Sequence, residues 1–234
     1  KHLPADEYGP WHIPIYTVTG SVGKTTTAKL LFQLLEGSCK TLALAASDGA
    51  WINGNRVIEG DCIGGLTAQA LLKDSTIEAA VFEQGRGGII RQGVPYARSN
   101  IGILLNVQLV HLGLDGIETL EEMADTKAVG LRPARLWILN YDDAQCVRIA
   151  KQHPASQTLW FSVSAKGEEL QAISIDVRAA LGVERETTGA PSALTIWKGG
   201  QQIKSWSLEG VLPYHGLLGD KTLEELLAAV AAAY

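Results

Sequence analysis

The chain has 234 residues, enough for one large domain or two small ones, and 46% apolar with 19% charged residues is the composition of a globular protein with a substantial core. A net charge of −5 and the lack of any Lys/Arg block argue against nonspecific nucleic-acid binding, so no nucleic-acid partner is expected. Cys39, Cys62 and Cys146 lie far apart with no zinc-type or C-x-x-C spacing, no apolar run nears the ~20 residues of a membrane span, and no signal-peptide pattern opens the chain, which together predict a cytoplasmic protein with no membrane partner.

The first twelve residues, KHLPADEYGPWH, hold two prolines and a glycine without an apolar period and read as a linker over 1–12. A start at Lys1 and an end in LLAAVAAAY predict a piece of a longer polypeptide. From Ile13 to Leu31 the chain reads strand, phosphate loop, helix: IPIYTV, then TGSVGK, then a helix-forming segment. Gly20 and Gly23 let the backbone N–H groups of Gly20, Ser21, Val22 and Gly23 approach an anion, and the helix beginning near Lys24 points its positive end there. Lys24 supplies a mobile charge, and Thr25 or Thr26 offers a hydroxyl to Mg2+ held between terminal phosphates. The full Walker spacing is not met, because Val18 stands where its first glycine would fall.

Thr41–Ala46 predicts a buried parallel strand that brings Asp48 to the ligand-bearing edge of the sheet. WINGNRVIEG then predicts a β-hairpin arm turning at Asn53 and Gly54. A helical stretch follows at Thr67–Leu72, and the strand Glu78–Glu83 delivers Glu83 to the same edge. The glycine-rich QGRGGIIRQG behind it predicts an open loop whose Arg86 and Arg91 hold a carboxylate or phosphate. Ile101–Val107 is the next strand, with His111 just beyond it. TLEE at Thr119 opens a helix carrying Lys127, which on composition alone could equally be an exposed helix lysine. Leu136–Asn140 is a further strand, followed by Tyr141, Asp142 and Asp143. Alternating strands and helices to this point predict βαβ units. After Ser156, TLWFSV, LTIWKGG and QIKSWSL predict an antiparallel extension around the helical GEELQAI, with Trp160, Trp197 and Trp206 packing on its buried face. Thr222 is expected to cap a final helix that docks on the sheet. The predicted fold is α/β: a P-loop domain over 13–234 with a mainly parallel sheet flanked by helices and a smaller antiparallel β extension.

The motifs VTGSVGKTTT, SDGAWINGNRVIEGD, AAVFEQGRGGIIRQG, LLNVQLVHLGLDGIETLEEMADTKA and LNYDD, in this order and spacing, resemble the central ATP-binding domain of the Mur ligase superfamily, and within it the C-terminal ligase module of the cyanophycin synthetases. The resemblance implies an ATP-dependent ligase that forms a peptide or isopeptide bond through an acyl phosphate, with ATP and Mg2+ as cofactors, as in cyanophycin-like polymer synthesis. It implies phosphates at Lys24 and the Gly23 amides, a first Mg2+ at Thr25 and Glu83, and a second at His111 supported by a carbamylated Lys127. Asn140 and Asp142 are assigned to the nucleotide, and Asp48, Arg86 and Arg91 to substrate. Lys24, His111 and Lys127 are the catalytic candidates. The implied partners are an amino-acid or peptide carboxylate, an amine, and a lid domain elsewhere in the longer polypeptide; homo-oligomerisation stays open.

Two positions depart from the family pattern. Val110 precedes His111 where relatives carry an acid, and PYHGLLGDKTLEELL lacks the asparagine that in relatives meets adenine. A P-loop ATPase or kinase without ligase activity, and a degenerate noncatalytic domain, therefore remain alternatives.

Overall fold

The computed structural model describes residues 13–110, 113–208 and 220–234. Among the described residues eleven strands form one sheet: β1 (Ile15–Thr19), β2 (Leu42–Ala46), β3 (Gly49–Ile52), β4 (Asn55–Glu59), β5 (Ala79–Glu83), β6 (Ser99–Leu104), β7 (Ala134–Asn140), β8 (Thr158–Phe161), β9 (Ala179–Arg185), β10 (Pro191–Lys198) and β11 (Gln201–Ser207). Their order is β11-β10-β9-β8-β7-β6-β1-β5-β2-β3-β4. The central strands pair in parallel from β2 through β5, β1, β6, β7 and β8 to β9. β1, the first strand in sequence, therefore lies at the centre, where neighbouring connections leave in opposite directions and a crevice opens at the strands' C-terminal ends.

The α-helices of the described residues cover the sheet: α1 (Lys24–Leu35), α2 (Gly65–Leu72), α3 (Arg86–Gln92), α4 (Leu120–Leu131), α5 (Ala144–Ala150), α6 (Gly167–Asp176) and α7 (Asp220–Ala233). Alternation along β1 shows how the layers divide. Val18 packs with Leu31 of α1 and Leu227 of α7 on one face, whereas Ile15 packs with Leu71 of α2 on the other. Met123 of α4, Cys146 of α5 and Leu170 of α6 fill the second face beside β6–β9. With both faces covered, β2 and β5 are buried at every residue, which is why they read as unbroken apolar runs.

The strand-loop-helix, the buried strands and the capped helix α4 form as the sequence predicts; Thr119 accepts from Glu122 N, and Glu122 accepts from Thr119 N. Five expectations are corrected. The WINGNRVIEG hairpin turns at Asn53 and Gly54, both at positive φ, yet it is no projecting arm: β3 pairs with β2 and makes β3-β4 an edge of the main sheet. QGRGGIIRQG is no open loop but contains helix α3. Its glycines serve close packing, since a Cβ on Gly88 would stand 2.8 Å from the Ile63 carbonyl oxygen.

TLWFSV contains a parallel strand, β8, and β9 is also parallel to it, so the antiparallel extension is only the β9-β10-β11 meander. A four-residue strand buried at every position carries no alternation from which its direction could be read. The tryptophans do pack, but on two faces: Trp160 and Trp197 lie with the α4–α6 core, and Trp206 lies with the α1–α7 core. The last helix begins at Asp220, placing Thr222 within it rather than at its cap. The linker over 1–12 lies outside the described residues.

Candidate nucleotide and metal site

The phosphate loop hangs between β1 and α1. Gly23 caps the helix at φ 86°, a left-handed conformation that glycine adopts without strain. The first intrahelical bond runs from Thr27 N to Gly23 O (2.9 Å), so the N–H groups of Lys24, Thr25 and Thr26 precede the helix's own acceptors and face its open end. Lys24 Nζ folds back to Ser21 O at 3.2 Å. Burial pushes the Lys24 ammonium below its ordinary pKa, and the Glu83 charge partly restores it.

Two of the expected loop amides are otherwise engaged. Asn106, just past β6, accepts from Ser21 N (3.2 Å) and Val22 N (3.1 Å) with Oδ1, and its own carbonyl accepts Ser21 N at 3.0 Å. Ser21 Oγ accepts from Gln108 N at 2.9 Å. Ser21 and Val22 therefore set the shape of the loop, and the N–H groups at the start of α1 are the ones that face its open end.

Beside the loop, Glu83 Oε2 accepts from Thr25 Oγ1 (2.9 Å) and Ser47 N (3.0 Å), while the Thr25 and Ser47 hydroxyls lie 2.9 Å apart. Thr25, rather than the exposed Thr26, thus faces the carboxylate. Burial raises the Glu83 pKa; the Ser47 and Thr25 hydrogen bonds and the Lys24 charge oppose it, and Asp61 adds to it. A hydroxyl and a carboxylate at contact distance are hard oxygen donors of the kind Mg2+ takes, so this pair fits the ion the loop implies. Among the described residues no cluster of three or more His, Cys, Asp or Glu side chains is arranged for a metal.

Lys127 decides between its two readings by position: it is 3% exposed and donates from Nζ to Gly20 O at 2.9 Å. It is not a solvated helix lysine. Burial, with Lys24 and Arg86 as like charges, pushes its pKa down to about 7. His111 lies outside the described residues, as do residues 213–219 of the PYHGLLGDKTLEELL stretch read for the adenine contact.

An open cleft of about 510 Å³ is lined by Gly20, Ser21, Lys24, Arg86, Arg91 and Lys127, among others, and joins the phosphate loop to α3 and α4. Arg86 is held there by Leu114 O (2.8 Å) and Asp115 (3.0 Å), whereas Arg91 is largely exposed, 3.8 Å from the same carboxylate. Asp48 does not line the cleft: it pairs with Lys29, and its carbonyl accepts from Arg56. Nor do Asn140 and Asp142 line it. Asn140 Oδ1 accepts from Asp142 N, and the Asp142 carboxylate takes Ser162 Oγ (2.6 Å) and Val163 N (2.7 Å), so both brace the β7–β8 corner. Sequence reading gave no role to Ser47, Asn106 or Asp143; the Asp143 carboxylate accepts Val107 N (2.8 Å) and caps α5. The one signal for Asn106 and Asp143 was a short polar residue just beyond an apolar strand.

A mainly parallel α/β sheet with a glycine loop, a loop lysine and a Thr–Glu pair at its C-terminal edge defines a P-loop-type α/β domain. The chain belongs to the Mur ligase middle domain family, whose family model matches residues 18–233. Among curated relatives, the cyanophycin synthetase of Synechocystis sp. is 38% identical over 165 residues, covering 69% of this chain and 19% of that protein. That of Nostoc sp. is 36% identical over 169 residues, covering 71% and 18%. This chain thus spans less than a fifth of the relatives it matches at this level. Among solved structures, a UDP-N-acetylmuramoyl-L-alanyl-D-glutamate–2,6-diaminopimelate ligase superposes with a TM-score of 0.69 at 22% identity, over 98% of this chain and 44% of that one. A folylpolyglutamate synthase of Mycobacterium tuberculosis complexed with ADP and AMPPCP gives 0.60 at 13%, over 94% and 54%. At these identities the likeness shows the fold.

Proposed function

We propose that this domain is the ATP- and Mg2+-binding part of a ligase that phosphorylates a carboxylate and lets an amine attack the acyl phosphate, releasing ADP and phosphate and leaving an amide. The observation that carries this reading is the convergence of Lys24, the Thr25–Glu83 pair and buried Lys127 around one glycine loop, with Lys24 and Lys127 lining one cleft.

Lys24 and the N–H groups at the start of α1 would hold the phosphates and oppose the charge that grows on the transferring group. Thr25 and Glu83 would hold Mg2+, which supplies charge neutralisation between phosphates when bound. Lys127 with a pKa near 7 keeps much of its amine neutral at neutral pH. That amine can add to carbon dioxide, forming an N–C bond and releasing one proton, and the carbamate so formed is an anionic oxygen donor with which His111 would support a second metal. Arg91, exposed on the cleft, is the better placed of the two arginines for a substrate carboxylate, since Arg86 is already held by Asp115.

Residues 13–234 are read as one such domain of a cytoplasmic protein, with amino-acid or peptide substrates and a lid supplied by the remaining polypeptide. Arginine and an aspartate-bearing polymer are the substrates suggested by the cyanophycin synthetase likeness. Val110 favours a second reading, a nucleotide-binding domain that does not turn over. Phosphate release by the full-length protein with Mg·ATP, with and without candidate amino acids and peptides, separates them. Release that requires both an amine and a carboxylate supports the ligase; amine-independent hydrolysis indicates an ATPase, and no release a noncatalytic domain.

A further inference from the structure

We infer that Glu224 on α7 is a positioning residue for the phosphate loop, acting through the side-chain amide of Asn106. Asn106 is 4% exposed, and all four of its side-chain hydrogen-bonding positions are filled. Oδ1 accepts from Ser21 N and Val22 N; Nδ2 donates to Val22 O at 3.3 Å and to Glu224 Oε1 at 2.6 Å. The amide therefore grips Val22 by both its N–H and its C=O, as a neighbouring strand would.

A primary amide can turn over by half a rotation, exchanging its oxygen and its nitrogen. In the turned state NH2 would oppose the two loop N–H groups and Oδ1 would oppose Glu224. An ionised carboxylate only accepts, so the Glu224 bond is compatible with just one orientation, the one that grips the loop. α7 reaches the loop a second time at the next residue, where Glu225 packs so closely that a Cβ on Gly23 would fall 2.7 Å from its Oε1. Burial raises the Glu224 pKa, with Glu225, Asp143 and Asp142 as like charges, and the Asn106 bond holds it back down. An acid placed among acids beside an anion-binding loop costs stability, and here its hydrogen bond goes to the amide that shapes that loop.

The shape of the loop does not depend on the ligase proposal, but the consequence for binding rests on it. Both are tested in the full-length protein by hydrogen exchange of peptides covering 20–25, together with titration by Mg·ATP. Loss of a charge-assisted bond is worth roughly tenfold or more in an equilibrium constant. Glu224→Ala is expected to speed exchange at Ser21 and Val22 by about tenfold or more and to weaken Mg·ATP by a comparable factor. Glu224→Gln, which keeps Oε1 as an acceptor but loses the charge and can also donate to a turned amide, is expected to fall between wild type and Glu224→Ala.

Should Glu224→Ala fold poorly, the reciprocal pair decides. Asn106→Asp sets two carboxylates against each other and loosens the loop, and Asn106→Asp with Glu224→Gln restores a donor and tightens it again. Wild-type exchange in a folded Glu224→Ala protein, or no recovery in the double variant, overturns the brace and leaves the nucleotide reading standing. Loosened exchange with no Mg·ATP binding in the wild type supports the brace and removes the nucleotide reading.

Discussion

The two ends of the sheet solve different problems. At the β9–β11 end, β11 is exposed at all but one of its seven residues, and that one, Trp206, is half-buried. Polar groups there face water, and the side chains need few partners. At the β1–β5–β6 edge, Thr19, Glu83, Gln84, Asn106 and Lys127 are all buried, and each depends on a named partner in another element. Burying a charge is costly unless something compensates. The phosphate-loop edge therefore holds groups whose burial weakens the fold unless they are partnered, while the outer strand of the meander leaves its side chains in water.

Lys127→Met should show this contrast most strongly. The folded pKa near 7 lies below the unfolded value of 10.5, so the unfolded chain binds more protons between those limits and stability rises with pH across that window. In metal-free, carbon-dioxide-depleted buffer the variant should gain about 3 kcal/mol at pH 6 in denaturant unfolding. Above about pH 11 the gain should vanish, leaving a loss of about 1 kcal/mol for the bond to Gly20. A pH-independent difference would mean that Lys127 is not desolvated.

Gly23→Ala comes next. A side chain at φ 86° is strained by about 1–2 kcal/mol, and the Glu225 carboxylate must also move, so the urea midpoint should fall and nucleotide binding with it. Glu83→Gln should separate stability from function. Its raised pKa means that the folded state binds the proton more tightly, so its stabilising contribution is present below pH 4.5 and lost as pH rises through the folded value. Gln can accept the same Thr25 and Ser47 bonds without the charge. The variant should be about 1 kcal/mol more stable at pH 8, equal to wild type near pH 4, and insensitive to Mg2+ in nucleotide titrations. At the other end, Ile203→Thr on exposed β11 should change stability by less than about 0.5 kcal/mol and binding not at all.

Elements with local causes were legible in the sequence. Apolar runs gave β1, β2, β5, β6 and β7, a capping box gave α4, and Asn-Gly gave the β3–β4 turn. Helix α3 was missed because glycine disfavours helices locally, and only the close packing against Ile63 explains Gly85 and Gly88. In the site, Lys24, Thr25 and Glu83 were visible because each sits where a strand or loop must deliver it. Asn106 and Glu224 were not: their partners lie 84 and 118 residues away along the chain, and no local pattern records such a contact. Asp48, Asn140 and Asp142 stood at strand ends that equally suit turns, and turns are what they build.

The most direct test of the central claim is calorimetric titration of the protein with Mg2+ and a nonhydrolysable ATP analogue, beside Lys24→Ala. Saturable one-to-one binding that needs Mg2+ and is lost in a folded Lys24→Ala protein is the predicted result. Equal binding by both proteins, or none by the wild type, would contradict the assignment of the Gly20–Thr25 loop as a nucleotide site.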